Sequence, residues 1–190
     1  MVTRSQIVGE KTKGCGEMAE QNEIMLSEEQ SALLKKYRHL LDHGFRGVFV
    51  HGLDTKGRVI VPSSFRQSLG EKFVICLAPG HKAIALYSKL EWELRFVRLL
   101  ELVAKDARMQ RVFDQFSKYT YEECECDAQG RVLLPQKLRS RFLADAKEVE
   151  ISGAGTHIRI VRNEDAQTEE DLLDAEIPDL LAFEAEVSNR

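Results

Sequence analysis

The sequence lacks several features that define common classes of protein. No apolar run approaches the ~20 residues that a membrane-spanning helix needs, and the segment Met1–Gly16 has no apolar core of the signal-peptide type. The cysteines show no C-x-x-C spacing, which argues against a zinc site and a disulfide framework. These absences predict a cytoplasmic protein without a metal site or a membrane partner.

Signatures of catalysis are missing as well. The sequence has no G-x-S-x-G nucleophile motif, no glycine-rich phosphate loop and no Cys–His arrangement that would support nucleophilic catalysis. His39 and His43 stand four residues apart, but Leu40 occupies the place that glutamate holds in the H-E-x-x-H zinc motif. We therefore predict no enzyme activity, no cofactor and no small-molecule substrate, and we expect both histidines to face solvent.

Charge is distributed unevenly along the 190 residues. Residues 44–163 contain 20 lysines and arginines and 14 acidic residues, whereas residues 164–190 contain 1 basic and 10 acidic residues. Residues 1–43 are nearly balanced, with 6 basic and 7 acidic residues. The overall net charge of −4 thus hides a basic middle segment, which leaves nucleic acid open as a partner.

The N-terminal part of the chain contains one predicted helix. Residues 1–26 have no hydrophobic periodicity and are predicted to be disordered. The helix is expected to start after Ser27, with Gln30 as its capping-box partner, and to stop at Gly44. Its apolar residues indicate either a helix packed on the main body, which we prefer, or a helix that binds a partner. These residues are Leu33, Leu34, Tyr37, Leu40 and Leu41.

The most informative stretch of the chain begins at Asp54. The Asp54 carboxylate can accept hydrogen bonds from the backbone just ahead of it, and Gly57 can adopt the positive φ that a tight turn needs. Lys56 and Arg58 place two cations on this turn. A short apolar strand follows, and Pro62 suits the first position of a helix. The stretch predicts a rigid cationic turn.

This stretch occurs twice, at an offset of 73 residues. Asp54, Gly57, Arg58, Val59, Pro62 and Arg66 align with Asp127, Gly130, Arg131, Val132, Pro135 and Arg139. The repeated unit is strand–turn–strand–helix–strand–strand. Because each copy is too small to bury its strands alone, two half-domains are predicted to pack about a pseudo-twofold axis.

A helical hairpin is predicted between the two copies. Trp92, Phe96, Leu99 and Val103 recur at helical spacing, and a second helix starts after Asp106. The predicted fold class is α+β. The predicted parts are an N-terminal extension (1–43), a first repeat domain (48–92), the helical hairpin (93–118), a second repeat domain (120–163) and an acidic tail (164–190).

Four segments give the chain a resemblance to the MraZ family of bacterial transcriptional regulators. They are Phe45-Arg46-Gly47, Leu53-Asp54-Thr55-Lys56-Gly57-Arg58, Glu91-Trp92-Glu93 and Asp127-Ala128-Gln129-Gly130-Arg131. The resemblance covers about residues 45–163 and implies two SpoVT–AbrB domains of the swapped-hairpin type that form a pseudo-twofold barrel. It also implies a nucleoid-associated, ring-like homo-oligomer that binds repeated boxes of double-stranded DNA and represses the operon for division and cell-wall synthesis.

The site residues are predicted from the turns and from this resemblance. Lys56, Arg58 and Arg131 are predicted DNA contacts, because cations on rigid supports release counterions when they meet phosphates. The family motif adds Arg46 to these DNA contacts. An alternative role for the two turn arginines is an ion pair that only holds each hairpin. The remaining motif residues are predicted to be structural: Asp54, Gly57, Pro62, Asp127, Gly130 and Pro135.

Two further expectations concern the short helices and the function. Arg66 and Arg139 are expected to be solvated or to pair with another subunit. The alternative function is an antitoxin-like interaction protein of the same fold class, whose acidic tail would wrap a partner. Two copies of the repeat disfavour this alternative, because such antitoxins usually carry one.

Overall fold

The structure is a computed structural model that describes residues 27–170 together with Leu173, Glu184 and Val187. Residues 1–26, which are predicted to be disordered, lie outside the described residues. Most of the acidic tail lies outside them as well. The chain divides into two units, Met1–Lys36 and Tyr37–Arg190, so the division falls inside the first helix.

Helix α1 (Glu28–His43) begins with the predicted capping box. Ser27 Oγ accepts a hydrogen bond from the Gln30 amide at 3.1 Å, and Gln30 Oε1 accepts one from the Ser27 amide at 2.9 Å. No residue of α1 is buried, and Leu33, Leu34 and Leu41 are 37–51% exposed. The packing of this helix on the main body stays a prediction.

The first repeat contains four strands and one short helix, in the predicted order. They are β1 (Val48–Gly52), β2 (Arg58–Ile60), α2 (Ser63–Leu69), β3 (Phe73–Leu77) and β4 (Ile84–Ser88), with a 3-10 turn at Pro79–His81. Gly70 ends α2 with a φ of 83°, and its amide donates to the Arg66 carbonyl at 3.1 Å. Gly70 therefore serves as the C-cap of α2.

The predicted helical hairpin consists of α3 (Lys89–Lys105) and α4 (Met109–Lys118). Ser88 Oγ caps α3 by accepting a hydrogen bond from the Glu91 amide at 3.3 Å. The apolar stripes of the two helices meet where the Phe96 and Phe113 rings lie 5.4 Å apart. Because α3 also packs on β3 and β4, it anchors the hairpin to the sheet.

The end of α1 that belongs to the second unit is tied to α3. His39 Nε2 forms an ion pair with Glu91 Oε1, although the sequence predicted that both histidines of α1 face solvent. His39 is half-buried, whereas His43 is exposed as expected. Burial raises the pKa of Glu91, and the charge of His39 opposes that shift.

The second repeat has the same order of elements. They are β5 (Tyr121–Cys124), β6 (Arg131–Leu133), α5 (Gln136–Phe142), β7 (Glu148–Gly153) and β8 (Ile158–Arg162). Residues 163–170 continue as a helix. Arg162 holds the start of this helix, because its Nε and Nη2 donate to the Asp165 carboxylate at 2.8 Å each.

Strands of the two repeats are interleaved. The large antiparallel sheet has the order β1-β7-β8-β4-β3-β5, and β2 pairs separately with β6. In this order β1 of the first repeat pairs with β7 of the second, and β5 of the second pairs with β3 of the first. The α+β class is confirmed. Within the described residues the large sheet ends at β1 and β5 without closing, so the pseudo-twofold barrel stays a prediction.

The core lies at the centre of the large sheet. Every residue of β3 is buried, and so are the first four residues of β4. Their continuous apolar sequences are typical of strands that are covered on both faces. From the second repeat, Ile158 and Ile160 of β8 join them with no exposed surface. The two repeats therefore share one core.

Gly153, at the end of β7, leaves no room for a side chain. A Cβ there would lie 2.4 Å from the Arg46 nitrogen and 2.4 Å from the Phe45 carbonyl carbon, so the backbone would have to move. We expect Gly153→Ala to lower the free energy of unfolding by about 1–3 kcal/mol. Urea denaturation measures this loss.

Gly52→Ala is the matched control, because Gly52 also ends a strand but its added Cβ would meet its nearest atom only at 3.9 Å. We expect the free energy of unfolding of this variant to stay within about 1 kcal/mol of the parent. Equal losses in the two variants would contradict the argument from backbone contact.

Candidate nucleic-acid interface

Asp54 organises the first turn through both carboxylate oxygens. Oδ1 accepts hydrogen bonds from the Lys56 and Arg58 amides at 2.9 and 2.8 Å, and Oδ2 accepts one from Arg58 Nε at 2.7 Å. The backbone closes the same turn, since the Gly57 amide donates to the Asp54 carbonyl at 2.8 Å. The carboxylate thus holds both the turn and the Arg58 side chain.

Asp127 holds the second turn in the same way. Its Oδ1 accepts hydrogen bonds from the Gln129 and Arg131 amides at 3.0 Å each, and its Oδ2 accepts one from Arg131 Nε at 2.8 Å. Arg131 Nη2 lies 2.6 Å from the same Oδ2. The two turns therefore have one geometry, which the sequence repeat indicated.

Both carboxyl groups lose their protons more readily than usual. The side-chain hydrogen bond from Arg131, followed by the backbone hydrogen bond from the same residue, lowers the pKa of Asp127 to about 2. The pKa of Asp54 is also lowered, chiefly by the backbone hydrogen bond from Arg58. Each turn therefore contains an ionised carboxylate at neutral pH.

Strands β2 and β6 place the two turns beside each other. The antiparallel register centres on Val59 opposite Val132. The carbonyl of each turn glycine accepts an amide hydrogen bond from the other repeat, at 2.9 and 3.1 Å. Arg58 Nη1 lies 4.0 Å from Asp127 Oδ2, so the arginine of the first turn reaches towards the carboxylate of the second. We call residues 54–58 and 127–131 the paired turns.

Glycine is required at both turns for two reasons. Gly57 and Gly130 have φ values of 80° and 74°, which side chains with a Cβ rarely adopt. Each glycine also lies under a guanidinium group: an added Cβ would be 2.0 Å from Arg139 Nη1 at Gly57 and 2.3 Å from Arg66 Nη1 at Gly130. A methyl group at either position would displace the arginine side chain that lies over the glycine.

These contacts bring Arg66 and Arg139 to the site, although neither arginine was assigned to it from the sequence. Arg66 on α2 and Arg139 on α5 each lie against the turn of the other repeat. Arg139 Nε also donates to the Leu134 carbonyl at 2.9 Å. Arg139 is therefore half-buried rather than solvated, whereas Arg66 stays exposed as expected, and pairing of either residue with another subunit stays a prediction. The repeat alignment, which matches these two residues, was the signal for a shared role.

The assembled cluster is positively charged, with five cations against two carboxylates. Cations on a fixed backbone suit phosphate oxygens, because little further ordering is needed when they bind. The cations are Lys56, Arg58, Arg66, Arg131 and Arg139, and the carboxylates are those of Asp54 and Asp127.

The carboxylates of the turns use only some of the N–H donors of Arg58 and Arg131. Their side chains are 27% exposed at Arg58 and 29% exposed at Arg131. Among the described residues, no hydrogen bond occupies Nη2 of Arg58 or Nη1 of Arg131. Each guanidinium therefore keeps N–H groups for a phosphate oxygen or a guanine edge.

Lys56 differs from its counterpart in the second turn. Its side chain is exposed and, within residues 27–170, it forms no ion pair. Gln129 occupies the matching position, so the second turn carries one cation fewer. The paired turns are therefore symmetric in backbone and asymmetric in charge.

Arg46 lies at the end of α1 and contacts neither turn in the described part of the chain. Its Nη2 donates to the Leu40 carbonyl at 2.8 Å and its Nη1 to the Leu41 carbonyl at 3.2 Å. A cation at this position satisfies terminal carbonyl groups and complements the helix dipole. The predicted DNA contact by Arg46 stays a prediction.

Pro62 and Pro135 stand immediately before the short helices. Their φ values are −51° and −57°, and α2 and α5 begin at the following residue. Their carbonyls accept hydrogen bonds from Phe65 and Leu138 at 2.9 and 3.0 Å. The fixed φ of proline thus directs the chain from β2 into α2 and from β6 into α5.

A metal centre and a membrane-spanning helix are two features that the described residues lack. These residues contain no group of three or more histidine, cysteine or acidic side chains that could hold a metal ion. None of the helices that the structure describes has the length and apolar character that a membrane crossing requires.

A family model described as "MraZ protein, putative antitoxin-like" matches residues 45–113 and 120–165. This match includes both paired turns and covers more than half of the 190 residues. The chain belongs to the MraZ family. The resemblance predicted from the doubled turn is therefore confirmed.

Curated MraZ relatives align over most of their own length. The protein of Carboxydothermus hydrogenoformans is 39% identical over 118 residues, 61% of this chain and 79% of the relative. That of Natranaerobius thermophilus is 41% identical over 118 residues, with the same two shares. That of Caldicellulosiruptor saccharolyticus is 42% identical over 125 residues, 65% of this chain and 84% of the relative. Each is named "Transcriptional regulator MraZ".

The lowered pKa of Asp127 predicts loss of stability in acid. The ionised carboxylate stabilises the folded state at pH values above its ordinary pKa of 3.8, and this contribution is lost as the pH falls towards about 2. We expect Asp127→Asn to unfold more easily at pH 7 and to show a weaker pH dependence of unfolding between these values. Urea denaturation at several pH values measures both effects.

Asp114→Asn is the control for the same chemical change at an exposed carboxylate of α4. We expect this variant to keep the acid dependence of the parent protein. If Asp127→Asn keeps it as well, the Arg131 contacts do not lower the pKa of Asp127.

Proposed function

We propose that this MraZ family member is a DNA-binding regulator of transcription and that its paired turns contact double-stranded DNA. The observation that carries the proposal is the β2–β6 ladder, which sets Arg58 and Arg131 on neighbouring rigid turns. The curated relatives named as transcriptional regulators support the regulatory role. Lys56, Arg58 and Arg131 are the proposed contacts.

The proposed contacts combine affinity with some discrimination between bases. Cations that meet phosphates release counterions, and this supplies affinity without reading sequence. The free N–H groups of Arg58 and Arg131 can also form a bidentate pair with guanine. Asp54 and Asp127 hold these arginines in place, so the turns are ordered before DNA arrives.

One chain presents few such contacts, so we propose that several copies bind several DNA boxes together. Linked sites raise the effective concentration of each turn near its box. Following the family resemblance, we propose that the boxes lie upstream of the division and cell-wall operon. Binding there would repress the operon and place the protein at the nucleoid.

An exposed apolar stripe on α3 supports association of the copies. Leu90, Leu94 and Val97 are each 55% exposed and follow the i, i+4, i+7 spacing of one helix face. Contiguous apolar surface of this kind marks interaction sites on soluble proteins. We propose that this stripe contacts a second copy of the chain.

A second candidate function is that of an antitoxin-like protein that neutralises a partner. The description of the matching family model, which includes the word antitoxin, favours it. A gene for a small toxin beside this gene would support it, whereas a methyltransferase gene and division genes downstream would support the regulator.

We expect Arg58→Ala and Arg131→Ala each to weaken binding to DNA from the region upstream of the gene. Each variant should also reduce the salt dependence of the affinity by about one phosphate contact per chain. Fluorescence anisotropy at several salt concentrations measures both quantities, with scrambled repeats as the DNA control. Arg108→Ala is the matched protein control, because Arg108 also pairs with a nearby carboxylate but lies outside the paired turns.

Asp54→Asn distinguishes a DNA contact from an arginine that only braces the turn. If Arg58 meets DNA, this variant loses stability but retains DNA binding, because a negative charge is removed and the cation stays. If Arg58 only braces the turn, Asp54→Asn and Arg58→Ala weaken DNA binding equally. That second outcome, or unchanged binding in both arginine variants, contradicts the proposed contacts.

The apolar stripe on α3 has a separate test. We expect Leu94→Glu to reduce the molar mass of the assembly measured by light scattering, because a carboxylate would enter an apolar contact between copies. Ala107→Glu adds the same charge at an exposed position between α3 and α4, outside the stripe, and its mass should not change. An unchanged mass for Leu94→Glu would exclude this surface as the contact.

A further inference from the structure

Two further arginines line a pocket between the helical hairpin and the turn at Pro79 and Gly80. The pocket has a volume of about 250 Å³, and its lining includes Arg95 and Arg98 but no acidic residue. The rest of its lining is mostly apolar side chains of α3 and α4. These are Leu99, Leu102, Met109, Val112 and Phe116.

Arg95 has no anion among the residues that the structure describes. Its Nε is fully buried and without a hydrogen-bond partner, and its Cζ lies 4.6 Å from the centroid of the Phe116 ring. Glu91, one turn earlier on α3, is paired with His39 instead. A half-buried guanidinium without a carboxylate is unusual, because buried charges are normally paired.

Two aromatic rings lie close to Arg95 without pairing with it as anions. The Tyr87 ring lies 5.8 Å from Arg95 Cζ, and the Tyr87 hydroxyl is also buried without a hydrogen-bond partner. His157 stacks on Tyr87 with ring centroids 4.8 Å apart. Burial, then Arg95, then Arg159 lower the pKa of His157 to about 4, so this imidazole is neutral at pH 7. Neither ring therefore supplies an anion for Arg95.

We propose that this pocket binds a small organic anion, namely a monocarboxylate with a short apolar body. Its carboxylate would pair with the guanidinium groups of Arg95 and Arg98, in the bidentate geometry that arginine favours. Its hydrocarbon part would lie against the apolar walls of α3 and α4. The pocket is smaller than the ~300–1,000 Å³ of usual ligand sites, which limits the ligand to a short chain or a single ring. This site is independent of the paired turns and does not rest on DNA binding.

Calorimetric titration of the full chain with octanoate tests the proposal, with octanamide as the uncharged match. We expect saturable binding of one octanoate per chain, and binding of octanamide that is weaker by roughly tenfold or more. Arg95→Met and Arg98→Met should each weaken octanoate binding by a similar factor. Because Arg98 is exposed, its variant stays informative if Arg95→Met does not fold. Arg111→Met, at an exposed position of α4 outside the lining, should bind octanoate like the parent.

The pKa of His157, measured by NMR, gives a second readout. A carboxylate bound at Arg95 offsets the positive charge that lowers this pKa, so octanoate should raise it and octanamide should not. Equal binding of octanoate and octanamide, or octanoate binding that survives both arginine substitutions, would overturn the proposal. The absence of saturable octanoate binding would also overturn it. If the oligomer mass also changed in Arg95→Met, a carboxylate from a second copy would be the partner of Arg95 instead.

Discussion

The pairing of β2 with β6 is the constraint on which the candidate site depends. Each strand has three residues, and each finds its partner in the other repeat. This ladder fixes the positions of the two turns, while α2 and α5 bring Arg66 and Arg139 onto the turn glycines of the opposite repeat. The cationic surface therefore forms only when both halves of the chain fold together, and the two repeats are not independent domains.

The arginines of the paired turns and of the pocket differ in whether a carboxylate pairs with them. Arg58 and Arg131 are each held by a carboxylate four residues earlier, which orders the side chain but reduces the net positive charge of the surface. Arg95 has no such partner among the described residues and lies against aromatic rings. The first arrangement suits a large polyanion that contacts several fixed cations at once. The second suits a single small anion that enters a pocket.

The local features of the fold could be predicted from the sequence because their hydrogen bonds span three or four residues. The capping box of Ser27 and Gln30 and the turn at Asp54 both have the expected geometry. The doubled motif also identified the family and the two halves. By contrast, the exposed apolar face of α1 could not be foreseen, since periodicity shows which residues share a face but not what covers that face.

The sequence by itself determined the order of the elements, the chemistry of the turns and the separation of basic and acidic segments. Tertiary structure decided which strands pair, and so placed Arg58 beside Asp127 and Arg139 over Gly57. It also paired Glu91 with His39 and left Arg95 without a carboxylate in the described part of the chain. These contacts join residues that are distant in sequence. They depend on which surfaces meet in the folded chain, and neither residue type nor spacing specifies that.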